Sequence, residues 1–103
     1  MSSYYDRVYD LTKKIPKGRV CTYGTIADYL SLGSARMVGW ALNKISLWED
    51  TIPAHRVVNS KGELSGRNAF PTPSTMQERL ESEGIVIENH KIVDFKSKLW
   101  IPS

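Results

Sequence analysis

Between Thr22 and Lys44 the chain carries two short runs of helical period, separated by little more than Leu32-Gly33. A helix, a short turn containing glycine and a second helix is the helix-turn-helix pattern, and it limits the fold more than any other feature. Thr22 is a good N-cap for the first of these helices, which runs through Ile26, Ala27 and Leu30. Ser34 caps the next, expected over residues 35–44. Val38, Ala41, Leu42 and Ile45 share one face of it and should pack inward. The opposite side offers Ala35, Arg36, Gly39, Trp40 and Asn43. A major-groove reader needs several Arg, Asn or Gln side chains aimed at base edges, and this helix has few. Its small residues, Ala35 and Gly39, let another surface approach closely, with Arg36 beside them. That suits a shallow, sequence-tolerant contact in the minor groove, with Arg36 as an inserted wedge or a phosphate partner. A close helix–helix contact with a surface arginine would use the same pattern.

The rest of the chain reads as a small frame around that motif. Tyr5, Val8, Tyr9, Leu11 and Thr12 recur near helical period, so a first helix is expected over residues 4–14, ended by Pro16-Lys17-Gly18. Arg19-Val20-Cys21 should be extended, and residues 47–53 irregular. Residues 57–64 read as two short strands around a turn, a candidate wing, followed by a loop over 65–73. A last helix is expected over 76–82, capped by Ser74 or Thr75 and stopped by Gly84. Ile85-Val86-Ile87 and Lys91-Ile92-Val93 suggest a hairpin across Glu88-Asn89-His90. The expected fold is mostly α with short β: a single winged-helix domain over residues 1–103, with a helix-turn-helix.

Composition bounds the function. The 41% apolar content can build one core in a chain of 103 residues. The net charge of +3 is compatible with nucleic acid, and Lys13, Lys14, Lys17, Arg19 and Arg36 are opposed only by Asp28 in that stretch. A solvated face would look the same on charge alone. Cys21 is the only cysteine, which excludes an intrachain disulfide and points to a reducing cytoplasm. With His55 and His90 the only histidines, zinc spacing is lacking and no metal is expected. No signal core and no membrane-length apolar run are visible.

Residues 52–57 read I-P-A-H-R-V. The position before His55 is one at which a working side chain is usually displayed, yet Ala54 is a methyl group and cannot act as nucleophile, acid, base or metal ligand. His55 thus has no neighbouring nucleophile to activate and could equally be a structural hydrogen-bonding group. Glu83, in L-E-S-E-G, is either a solvated carboxylate or one that orients His55. Tyr23 follows the Thr22 cap as a core, capping or site aromatic. Cys21 reads as a small buried hydrophobe, and Arg67 as a loop charge.

Four stretches, I-P-K-G-R-V-C-T-Y-G-T-I-A, S-A-R-M-V-G-W-A-L, I-P-A-H-R-V-V-N-S-K-G and L-E-S-E-G, together resemble the DNA-binding domain of the O6-alkylguanine-DNA alkyltransferases over residues 4–87. The short length, the missing acceptor cysteine and Arg67 in S-G-R-N-A-F match the alkyltransferase-like proteins of that family. The resemblance implies that Tyr23 crowds the target phosphate and helps rotate the nucleotide out of the duplex. Arg36 would fill the gap, with Ala35 and Gly39 at the DNA surface. Ala54 would stand where the acceptor cysteine stands, His55 and Glu83 would be the remnant of its activating relay, and Arg56 would be the loop arginine. Arg67 would lie against the alkylated base, in a lesion pocket shared with Tyr23, Ala54, His55, Arg56 and Val57. The implied protein is a non-enzymatic sensor, without cofactor, that binds O6-alkylguanine in duplex DNA and marks it for nucleotide excision repair proteins. It is expected to be a monomer away from membranes, at the nucleoid of a bacterial cytoplasm or in a eukaryotic nucleus. Two other classes stay open: an alkyltransferase carrying a Cys-to-Ala change at position 54, and a winged-helix transcription factor without lesion recognition.

Overall fold

The computed structural model describes residues 3–45 and 51–103. The element order is α1 (Tyr4–Lys13), β1 (Cys21–Thr22), α2 (Tyr23–Tyr29), α3 (Ala35–Asn43), β2 (Val57–Val58), α4 (Thr75–Ser82), β3 (Ile87–Glu88), β4 (Lys91–Ile92) and α5 (Phe95–Lys98), with single 3-10 turns at Ala54–Arg56 and Arg67–Ala69. Of the stretch expected to be irregular, residues 47–50 lie outside the described residues, and 51–53 form no regular element.

Both helices of the helix-turn-helix form for local reasons. The Thr22 hydroxyl accepts the Thr25 amide at 3.0 Å and satisfies an otherwise orphaned donor at the start of α2. At its end, Leu32 N donates to Ala27 O at 2.9 Å and Ser31 N to Asp28 O at 3.2 Å, closing a helix C-cap around Ser31. The left-handed residue of this turn is Ser31, with φ 57°, one residue before the Leu32-Gly33 pair read as the turn. The turn brings α3 back onto α2, where Val38, Ala41 and Leu42 enter the core. Ser34 occupies the N-cap of α3 but makes no side-chain cap bond. The Tyr9 hydroxyl donates to Ala41 O at 2.7 Å and pins α1 across α3.

β1 and β2 pair in parallel, Cys21 with Val57 and Thr22 with Val58. Parallel strands need a crossover, and here it is the helix-turn-helix itself. The pairing sets the T-Y-G turn beside the P-A-H-R loop, although some thirty residues separate them in sequence. Val20, Cys21, Val57 and Val58 are fully buried, with Ile26, Leu64, Met76 and Leu80 around them.

The wing differs from the expectation. Val57–Val58 takes β1 as its ladder partner, and the turn after it is closed by Gly62 N to Asn59 O at 3.0 Å and Asn59 N to Glu63 O at 3.2 Å, without a second regular strand at residues 63–64. The Asn59 side chain instead folds the loop on itself, accepting the Lys61 and Glu63 amides at 3.0 and 2.8 Å. Glu63 bridges Lys91, and Leu64 N donates to His90 O at 2.8 Å, so the far arm joins the C-terminal hairpin. That hairpin turns in two residues where three were expected. Asn89 and His90 have φ of 52° and 60°, the pair of left-handed residues that a tight hairpin turn of matching twist requires.

The C-terminal helix α5 was not expected. Its end runs beside the residues just before β1: Val20 N donates to Lys98 O at 2.9 Å, Trp100 N to Val20 O at 2.8 Å, and the Arg19 guanidinium to Ser97 O. The Phe95 ring lies where a Cβ at Gly62 would come within 2.8 Å of it, so that glycine is a packing requirement as well as a left-handed one at φ 80°.

Candidate nucleic-acid interface

A polar cluster forms where α4 ends. Gly84, at φ 90°, closes α4 through its amide to Glu81 O at 3.0 Å, and Ile85 N returns to Leu80 O at 3.1 Å. This cap fixes Glu83 as the C-cap residue, one position past the end of α4. Its carboxylate accepts from His55 Nε2 at 2.8 Å, from Arg56 Nε and Nη2 at 3.0 and 2.8 Å, and from the Gly18 amide at 3.2 Å. Arg56 Nη1 donates to Ile15 O at 2.8 Å. One carboxylate thus ties together the end of α4, the P-A-H-R loop and the turn after α1. Burial alone would push the Glu83 carboxyl up, but the hydrogen bonds from Arg56, His55 and Gly18 outweigh it and hold its pKa at about 2.

The charge state of His55 follows. Burial, helped by the positive charges of Arg56 and Arg79, pulls its pKa below the ordinary value against the raising effect of Glu83, so the imidazole is neutral at pH 7. An ionised carboxylate only accepts, so Nε2 carries the proton and Nδ1 is left an acceptor. Nδ1 is buried, with no partner among the described residues. This is an oriented imidazole backed by a carboxylate, the arrangement that makes a general base. The residue before it, Ala54, offers only a methyl group and is 6% exposed. Cys21 does not replace it. That thiol is fully buried, and burial pushes its pKa up to about 11, so it stays protonated.

Tyr23 opens α2 on the outer side of the same strand pair. Burial raises its pKa, against a hydrogen bond with Ser65 that lowers it. Its hydroxyl stands 2.5 Å from where a Cβ at Gly66 would be, so only glycine at position 66 lets the loop after the wing reach it. Tyr23, Gly24, Ala35, Arg36, Gly39 and Trp40 line an open groove of about 760 Å³, which extends to Asn43, Asn59 and Ser60. Asn43 also borders a recess of about 310 Å³ lined by Ser65, Gly66, Asn68 and Ala69.

The fold therefore brings Tyr23, Ala35, Arg36 and Gly39 to one surface, and separately joins His55 to Glu83. It does not gather the six expected pocket residues around one open cavity. Ala54, His55 and Val57 are buried and line none of the cavities described here. Arg56 faces Glu83 and Ile15 O. Arg67 donates to Leu64 O at 3.0 Å and borders a separate depression of about 240 Å³ with Glu63, Ser65, Asn89 and His90. Sequence reasoning missed Gly18, Ile15 and Gly66. The first two act through backbone atoms, which residue identity does not reveal. Gly66 could have been flagged as a glycine in a polar loop, but its partner is remote in sequence.

Comparison with known proteins settles the family. The family described as 6-O-methylguanine DNA methyltransferase, DNA binding domain, matches residues 3–85. The chain belongs to this methyltransferase family. Alkyltransferase-like protein 1 of Schizosaccharomyces pombe is 39% identical over 107 residues, covering 99% of this chain and 98% of that one. The DNA base-flipping protein of Escherichia coli K12 is 32% identical over 99 residues, covering 95% of this chain and 74% of its own length. The crystal structure of S. pombe Atl1 with damaged DNA containing O6-carboxymethylguanine superposes with a TM-score of 0.83 at 35% identity, covering 99% of this chain and 100% of that one. The Mycobacterium tuberculosis OGT structure in complex with DNA gives 0.68 at 32% identity, over 81% of this chain and 50% of the other. Within the methyltransferase family, this member combines the helix-turn-helix surface and a joined His55–Glu83 pair with a methyl group at position 54.

Proposed function

We propose that this protein is a non-enzymatic sensor that binds O6-alkylguanine in duplex DNA through the minor groove, rotates the damaged nucleotide out and leaves it chemically intact. The observation that carries the reading is Ala54. Its methyl group adjoins an imidazole already oriented by Glu83, with Tyr23 and Arg36 on one outer surface. The binding frame is retained and the alkyl acceptor is missing. Flipping costs a few kcal/mol, and the protein must replace the lost stacking. The planar, permanently charged guanidinium of Arg36 suits that gap beside phosphates. The names and complexes of similar proteins support the DNA partner. Handover of the occupied site to nucleotide excision repair proteins, binding as a monomer, and residence with the genome (nucleoid or nucleus) complete the proposal.

The test is a gel shift with one duplex carrying either guanine or O6-methylguanine, followed by mass analysis of the recovered DNA and protein. The expected result is tighter binding of the alkylated duplex with the methyl group still on the base. Arg36→Ala should weaken both complexes. Stoichiometric appearance of a methyl group on the protein, at Cys21 or elsewhere, would overturn the reading.

A further inference from the structure

Trp40 is the one large side chain of the groove to which no role has yet been given. It is 52% exposed, on the outer face of α3. Exposed tryptophan is unusual on a free surface and is enriched where a partner covers it. Its surroundings make the exposure informative. Gly24 and Gly39 have open space where a side chain would begin, and Ala35 is equally small. A surface pressed against these residues must meet the indole. Trp40 also follows Arg36 by one helical turn, so the two side chains are neighbours about 6 Å apart along the same face. Successive nucleotides on one strand are about 3.4 Å apart. With Arg36 in the base stack, that spacing would set the indole one to two nucleotides from the gap, away from the flipped base itself.

We infer that Trp40 is a DNA-binding residue that packs its indole against the deoxyribose edges of the minor groove next to the site where Arg36 enters. The inference rests on the function proposed above and adds to it a contact of different physical kind. Arg36 works through charge and stacking, whereas Trp40 works through apolar burial that neither reads sequence nor releases counterions. Its effect on affinity is therefore the same for damaged and undamaged duplex.

The experiment is fluorescence anisotropy of one labelled duplex, with guanine or O6-methylguanine, titrated with wild type, Trp40→Ala, Trp40→Phe and Arg36→Ala at several salt concentrations. Circular dichroism confirms that each variant is folded. Trp40→Ala should weaken both duplexes about tenfold, the usual loss for truncating an interfacial tryptophan. The slope of log affinity against log salt should not change, whereas Arg36→Ala should lower it by about one. Trp40→Phe should recover binding to within roughly threefold, because an aromatic ring still covers the sugars. Unchanged affinity in Trp40→Ala while Arg36→Ala loses binding would overturn the inference and leave the function standing. So would a changed salt slope, or a loss confined to the alkylated duplex. Failure of the wild type to bind either duplex would overturn the function and this inference with it.

Discussion

Replacing Glu83 by Gln tests the cluster that joins three parts of the chain. Every group around the carboxylate is a donor: His55 Nε2, Arg56 Nε and Nη2, and the Gly18 amide. A glutamine would turn an amide NH2 toward that set and leave the Arg56 guanidinium, largely buried, without a counter-charge. Two routes give the cost. A carboxyl pKa held at about 2 against an ordinary 4.5 corresponds to about 3 kcal/mol of folding stability. Removing one partner of a buried ion pair costs about 3–5 kcal/mol by general experience. A domain of this size holds roughly 5–15 kcal/mol in total, so the variant should be folded but severely weakened. Urea denaturation at pH 7 should show a loss of about 3 kcal/mol at unchanged m. The pH dependence has a definite sign. The folded-state pKa of Glu83 lies below the unfolded one, so its contribution is complete above about pH 5 and is lost as pH falls toward 2. His55, also lowered, adds a separate loss that begins as pH falls through 6.5, where the unfolded imidazole gains a proton. Glu83→Gln should abolish the lower limb and deepen the upper one, because the carboxylate that raises the His55 pKa is gone. A loss below about 1 kcal/mol at pH 7, or an unaltered slope between pH 5 and 3, would refute the account of the cluster.

Gly66→Ala places a Cβ about where the Tyr23 hydroxyl is already within 2.5 Å, so the loop or the ring must move; the two-dimensional NMR signals of both should shift, and DNA affinity should fall several-fold. Arg67→Ala should narrow the ratio between alkylated and plain duplex more than it lowers general affinity, because a guanidinium over a purine face is worth about 0.5–2 kcal/mol; equal loss on both, in the same titration, would assign Arg67 to the backbone. Ala54→Cys should give slow, single-turnover alkyl transfer detected by protein mass. The new thiol would be nearly buried and hard to ionise, and a misplacement of about 1 Å can cost on the order of 100-fold in rate. No label after long incubation would mark His55 and Glu83 as purely structural.

Much of the architecture was legible in the chain because its causes are local. Thr22 caps α2 by an atom three residues away, Gly84 stops α4 through its own backbone freedom, and Val38, Ala41 and Leu42 bury one side of α3 by periodicity alone. The chemistry missing from position 54 was legible too, since a methyl group is inert in any fold. Helix period alone assigns Arg36, Gly39 and Trp40 to the outer side of α3, where they line one groove.

Partnership between distant segments was decided only by tertiary structure. Val57–Val58 has the composition of a wing strand, yet its ladder partner is Cys21–Thr22, a segment so remote in sequence that no local signal gives the pairing. Arg56 read as a pocket residue and is turned inward by Glu83 and the Ile15 carbonyl. Helix α5 is short and depends on the Val20 and Arg19 backbone and side-chain contacts, so no local signal announced it. The sequence by itself determined which groups exist, their local periods and the absence of a nucleophile at 54. The folded structure decided which donors share the Glu83 carboxylate, because that depends on distances closed across the chain.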